Sequence, residues 1–334
     1  MRVIHNRKDW IDIMKGIGIL CVVAGHIIGG LTTKVVYIFH MPLFFFIGGY
    51  LFRERKNQKE YFIDKFIHLI IPYFAFLFLI YIPVQLCAIA QSHFNTSIIL
   101  KSFFYILAGG RALSGYVTVF WFATCFFLVQ QVFNFIVTKY NPRATLIIVL
   151  IMLLLSYINS IFIPQFWLPW NANVVLAALP IFYIGFVYKK YNFKENRIFI
   201  LSVSVLAIAS TLYTGKICYN MKIAEYGIPI ITLLCSTCLI LSIKNISSEV
   251  ARFPKVSKVF IELGRASMII MYLHQPIQLI ITYNISSNEF LRFILSTFIS
   301  YIIYLFILRF SPLRALLLGS KDDFKELLHF KIQS

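Results

Sequence analysis

Ten stretches of this chain are apolar for about as long as a helix needs to cross a hydrocarbon layer. A core about 30 Å thick takes roughly 17–25 such residues at 1.5 Å per residue. The stretches are 11–31, 35–52, 69–90, 117–138, 144–163, 173–188, 198–214, 226–243, 259–283 and 291–310. A soluble fold cannot hide them, because part of its surface must face water. Composition agrees: 60% of the 334 residues are apolar and only 13% are charged. The chain is read as an all-α, polytopic membrane bundle of ten transmembrane helices, forming a single domain over 1–334. The first run has a basic preface, Arg2, Arg7 and Lys8. It is long for a signal segment and no small-x-small cleavage site follows, so an uncleaved first helix is expected.

A net charge of +18 would suggest nucleic acid only if it formed a basic face on a soluble domain. Here the cations fall between apolar runs, and no nucleic-acid partner is expected. Their distribution orients the chain instead. One set of alternate connections holds six, Lys34, Lys101, Arg111, Lys216, Lys222 and Arg292, while Lys15 lies inside the first run. The other set, with the two ends of the chain, holds 24 of the 31 Lys and Arg. Both termini are therefore expected in the cytoplasm, in a multi-pass protein of the plasma membrane surrounded by lipid. Residues 310–334 read as a short basic tail on the inner surface. The long outer connection 91–116 contains an apolar stretch, Ile98 to Leu107, too short to span, which suggests a re-entrant or interfacial helix. All six cysteines lie in apolar stretches. Cys235 and Cys238 have CxxC spacing with no second pair or nearby histidine, so a structural role is expected and no metal.

Ionisable groups inside spans are costly and mark candidate sites. The first run holds Asp12, Lys15 and His26. Asp12 and Lys15 are three apart and can pair on one helix face. Lys15 and His26 are eleven apart, almost three full turns, so they share a stripe and are separated by about 16 Å along the axis. Lys15 could instead snorkel to headgroups, and His26 could simply bond a neighbouring helix. Gly16, Gly18, Gly25, Gly29 and Gly30 permit close approach of a ligand, or equally of another helix. The second run begins Phe39-His40-Met41-Pro42, putting His40 at a depth comparable to His26. In the ninth run, His274-Gln275-Pro276 makes a third polar break. Histidine suits a general base because its pKa lies near working pH.

These residues resemble the acyltransferase 3 family of membrane acyltransferases. The matches are ordered along nearly the whole chain. They are Trp10-Ile-Asp12-Ile-Met-Lys15-Gly16-Ile-Gly18 with His26, Phe39-His-Met-Pro-Leu-Phe-Phe-Phe-Ile-Gly-Gly-Tyr50, Trp121-Phe122, Leu179-Pro180-Ile-Phe-Tyr-Ile-Gly185, and Gly264-Arg265-Ala-Ser267 leading into Tyr272-Leu-His274. Two positions depart from the family pattern. Lys15 stands where an arginine is common, which keeps the charge and loses the bidentate fork. Lys65 and His68 precede Pro72 where an R-x-x-R pair is usual.

The resemblance implies an acyl-CoA donor, with acetyl as the default, and a hydroxyl acceptor on an exopolysaccharide, capsule or other surface glycan. His26 is the expected catalytic residue, as general base or as a transient acyl carrier. Lys15, Asp12, Lys65 and His68 are the expected donor residues. His40, Tyr50, Arg111, Trp121 and His274 are the expected acceptor residues, although Trp121 would also suit an interfacial aromatic belt. A transporter or flippase for a glycan precursor is the main rival, since polar breaks at mid-membrane occur there too. No matching pair of broken helices in two halves supports it. A sensor or scaffold would leave the stripe of Asp12, Lys15 and His26 unexplained.

Overall fold

The computed structural model describes residues 9–91 and 96–332. The basic preface Arg2, Arg7 and Lys8, and residues 92–95 of the long connection, lie outside the described residues. Without water to satisfy backbone groups, a chain in lipid closes its hydrogen bonds within helices. The helices, in order, are α1 (Asp9–Ile27), α2 (Gly30–Val36), α3 (His40–Leu51), α4 (Gln58–Cys87), α5 (Thr96–Ala108), α6 (Trp121–Lys139), α7 (Pro142–Phe162), α8 (Val175–Tyr191), α9 (Arg197–Thr214), α10 (Ile231–Val250), α11 (Pro254–Arg265), α12 (Ser267–Asn284), α13 (Glu289–Ile307), α14 (Ser311–Leu317) and α15 (Lys321–Ile332). No named strand occurs among the described residues, only an isolated bridge between Asn220 and Glu225.

Nine helical stretches among the described residues are long and apolar enough to cross a membrane, which makes this a multi-pass membrane protein. The run 259–283, expected as one span, is instead two helices that break at Ala266. Its second half, α12, has 18 residues, about 27 Å at 1.5 Å each. It is long enough to cross, but His274, Gln275, Pro276 and Gln278 dilute its apolar character. The third span also differs from expectation. It begins at Gln58 rather than Leu69, because Asn57 accepts a hydrogen bond from the Glu60 amide and starts the helix. Lys65 and His68 are therefore helical. Within α4 the residues Phe66–Ile70 and Leu77–Tyr81 widen into π turns. Each lies just ahead of a proline, Pro72 or Pro83, which has no N–H for the carbonyl four residues earlier.

The first helix is the hub, packing against α3, α10, α11, α12 and α13. Its contact with α11 is made by backbone. A Cβ on Gly16 would fall 2.2 Å from the Phe260 carbonyl oxygen, and one on Gly264 would fall 1.9 Å from that of Asp12. The pair α3 and α8 meets in the same way: a Cβ on Gly49 would lie 1.8 Å from the Phe182 oxygen, and one on Gly185 would lie 2.1 Å from that of Phe46. By contrast α7, α9 and α13 bury 28% or less of their apolar stretches. Leu150, Leu154, Leu206 and Phe298 face outward there, as lipid-facing helices require. The short apolar helix expected in 91–116 is present as α5, with Leu100, Phe103, Phe104 and Leu107 exposed.

Candidate active site

A cavity of about 1090 Å³ runs along α1 between two chemically different ends. At one end its wall carries Lys15, Arg53, Arg55, Lys65, His68 and Lys321, with Asp64 as the carboxylate among them. Lys15 Nζ lies 3.3 Å from Asp12 Oδ1, so the first-turn carboxylate holds the ammonium over the cavity. Asp12 itself is 2% exposed and lies off the wall. The short link after α3 is pinned by Asn134, whose side chain accepts from the Arg55 amide at 3.0 Å and donates to the Arg55 carbonyl at 2.9 Å. That fixes Arg53 and Arg55 at the mouth.

His26 and His40 line the other half of the cavity with Trp121, Tyr272 and Gln275. Two imidazoles are oriented by the backbone carbonyl four residues earlier in the chain. His40 Nδ1 is 2.8 Å from the Val36 carbonyl, and His274 Nδ1 is 2.7 Å from that of Ile270. A carbonyl only accepts, so in each ring Nδ1 carries a proton, and a neutral ring presents Nε2 as an acceptor. His274 is fully buried behind the wall, its ring against that of His26 with centroids 5.5 Å apart and planes tilted by 40°. Three buried polar atoms on this stretch of α12 find no partner within the described residues: Tyr272 OH, His274 Nε2 and Gln275 Oε1. Buried polar groups are rarely left so, and two of these residues are on the cavity wall.

Four connections knit together as a cap over this end. The Tyr219 amide donates to the Tyr37 carbonyl at 2.9 Å, and Asn171 Nδ2 donates to the Lys222 carbonyl at 3.0 Å. Lys222 turns inward, and its Nζ donates to the Leu113 carbonyl at 2.7 Å and to Thr118 Oγ1 at 2.6 Å. Burial, and then the neighbouring Arg111 guanidinium, push the Lys222 pKa down from its ordinary value to about 8.

Six of the ten residues expected from sequence thus share one cavity wall: Lys15, His26, His40, Lys65, His68 and Trp121. Asp12 and His274 stand directly behind two of them. Tyr50 and Arg111 are not brought to the wall. Tyr50 packs edge-on against Trp10 at 5.1 Å, and Arg111 Nη1 donates to the Pro164 carbonyl at 3.2 Å. Sequence reasoning missed Lys222, Tyr272, Gln275 and Lys321 as wall residues. Lys222 was one of six cations in polar connections, with no pattern to separate it from the others. Among the described residues no group of three His, Cys, Asp or Glu is placed to hold a metal ion.

A family model described as an acyltransferase domain matches residues 8–309. The chain belongs to the acyltransferase 3 family. It is thus a membrane acyltransferase, and it requires an acyl donor as co-substrate. We found no match to this acyltransferase among curated proteins or among solved structures. The matched segment contains every wall residue of the acyltransferase named above except Lys321.

Proposed function

We propose that the protein transfers an acyl group, acetyl by default, from acyl-CoA to a hydroxyl of an exopolysaccharide, capsule or other surface glycan. The observation that carries this reading is the continuous cavity with a polycationic mouth at one end and a histidine with unpaired polar neighbours toward the other. In this scheme the whole chain acts as one domain in the plasma membrane, and the basic mouth opens to the cytoplasm, as the positive-inside distribution implies. A phosphorylated nucleotide suits clustered Lys and Arg, which bind phosphate through charge-assisted hydrogen bonds. The thioester then extends along the Lys15–His26 stripe. From the capped end, the glycan hydroxyl meets His26, with Tyr272 and Gln275 as hydrogen-bond partners and Trp121 as an apolar platform.

His26 takes the hydroxyl proton as the oxygen attacks the thioester carbonyl. The C–S bond then breaks, and the thiolate leaves with that proton. His274 lies behind the ring and offers a lone pair to the imidazolium formed on the way. In the covalent alternative, His26 attacks the thioester itself and hands the acyl group on. Incubation with labelled donor and no acceptor separates the two, because only the covalent route leaves label on the peptide containing His26. The function is tested by mass spectrometry of the surface glycan with and without the protein. Loss of an acyl modification is expected, and an unchanged glycan with altered export of its precursor would favour the transporter.

Two further outcomes follow from the cations. Lys15→Ala should raise KM for acyl-CoA by about 10–100-fold, the loss expected for a hydrogen bond to a charged group. Lys15→Arg should stay near wild type, as a generic cation requires, and a loss as large as that of Lys15→Ala would make the contact lysine-specific. Lys222 has three N–H donors, of which two are used within the cap. The third is available to the acceptor or to the developing oxyanion. Lysine loses its charge as pH rises through its pKa, so with a value about 8 transfer should fall about tenfold between pH 7 and pH 9. Arg111, the charged neighbour that lowers this value, stays cationic over that range. The Lys222→Arg protein should hold its rate to higher pH, and rate profiles of the two proteins measured side by side check this.

A further inference from the structure

The family match ends at residue 309, and the chain continues past it into α14, a tight turn and α15. This segment was expected to lie on the membrane surface. Instead its turn, Leu318, Gly319, Ser320 and Lys321, forms part of the wall at the basic end of the cavity. Gly319 makes the approach possible. It has φ of +60°, and a Cβ there would fall 2.4 Å from the Ile67 carbonyl oxygen and 2.5 Å from the His68 Cα. The turn is therefore seated on the widened π segment of α4, backbone against backbone, and the His68 ring reaches the backbone of Gly319.

The turn is also held from behind. Arg314 Nε donates to Asp323 Oδ2 at 3.0 Å, Ser311 Oγ donates to Asp323 Oδ1 at 2.8 Å, and Ser320 Oγ donates to the same carboxylate. Arg314 Nη1 donates to the Leu308 carbonyl at 2.9 Å, which ties the network to the end of α13. Lys321 is thereby placed beside Asp64, with which it pairs. Both line the cavity with Lys15, Arg53, Arg55 and Lys65. Five cations are then offset by two carboxylates, Asp64 on the wall and Asp12 behind Lys15, an excess suited to a polyanion rather than to a neutral sugar.

We propose that the C-terminal turn is part of the donor site, with Lys321 contacting a phosphate of the nucleotide half of acyl-CoA. This rests on the acyl-CoA reading above. Asp64 pairs with Lys321 before the donor arrives and competes with the phosphate for that ammonium. The segment past the family domain selects donors that carry the phosphorylated nucleotide over the same acyl group on a bare pantetheine thiol.

The test uses the purified full-length protein with acetyl-CoA and acetyl-pantetheine as alternative donors. In Lys321→Ala, KM for acetyl-CoA should rise about tenfold, as for one charge-assisted hydrogen bond. Binding of adenosine 3′,5′-bisphosphate should weaken by a similar factor, while KM for acetyl-pantetheine shifts less than about twofold. Lys321→Arg should restore the acetyl-CoA value, and Asp64→Asn, which removes the carboxylate that competes with the phosphate for Lys321, should lower it. An unchanged acetyl-CoA KM in Lys321→Ala, or an equal rise for both donors, would overturn the proposal. So would an Asp64→Asn protein that matches Lys321→Ala, because Lys321 would then be only a tether for the tail. Wild-type transfer from neither donor would overturn the acyl-CoA reading itself.

Discussion

Acyl transfer by His26→Ala is expected to fall by about 10²–10⁴-fold, the span that a positioned general base contributes. His26 differs from the other imidazoles of the cavity. His68 is in the basic mouth, a donor-phosphate environment rather than one for an acceptor hydroxyl. His40 is committed to the Val36 carbonyl and its ring packs on Tyr37 at 4.7 Å. It is 3% exposed. His26 alone lines the cavity with a second histidine ring directly behind it. Removing it leaves the donor mouth intact, so KM for acyl-CoA should change little while kcat collapses. His40→Phe keeps the ring volume and should cost far less. The measurement is the initial rate in detergent or proteoliposomes, after matching the variants for amount and thermal stability. Wild-type transfer by His26→Ala would sink the catalytic assignment, and with it the stripe argument that led to it.

Much of the fold is legible in the sequence. Long apolar runs located the spans, because lipid leaves a chain few ways to satisfy its backbone. The stripe of Lys15 and His26 was readable because helix geometry alone fixes which residues share a face. Hydropathy failed where polarity and helicity part company. Lys65 and His68 looked like a loop, yet α4 starts seven residues before Lys65. The run 259–283 looked like one span, yet it is broken at Ala266 into two helices, because hydropathy is blind to such a break. The cap residue Lys222 is positioned by hydrogen bonds to Leu113 and Thr118, more than a hundred residues away in sequence. No local pattern encodes such a contact. Tyr50 and Arg111 show the converse: a motif and a charge suggested a site, and the packing holds both off the cavity wall.

The glycines of the first helix give the second large prediction, because sequence left their role open between ligand approach and helix packing. Gly16→Val should cost about 3 kcal/mol or more, the upper range for overpacking a close contact, or a factor of about a hundred in the folded population. Its Cβ would meet the Phe260 carbonyl oxygen at 2.2 Å, and that obstacle is backbone rather than a rotatable side chain. Gly264→Val should be equally severe, since its Cβ would meet the Asp12 oxygen at 1.9 Å. Both changes push α11 away from the turn of α1 that carries Asp12 and Lys15, so the donor mouth is lost along with stability. Gly29→Val is the control. It is in the same glycine-rich stretch, but nothing lies within 4 Å of a Cβ there, and its φ of −71° suits any residue. Thermal unfolding and the monodisperse fraction in detergent should drop for the first two proteins and hold for the third. If all three behave alike, the backbone clasp between α1 and α11 is not what sets the position of Lys15. If only the first two fail, the family-like Lys15-Gly16 and Gly264-Arg265 segments are two halves of one contact, far apart in the chain and joined at the cavity.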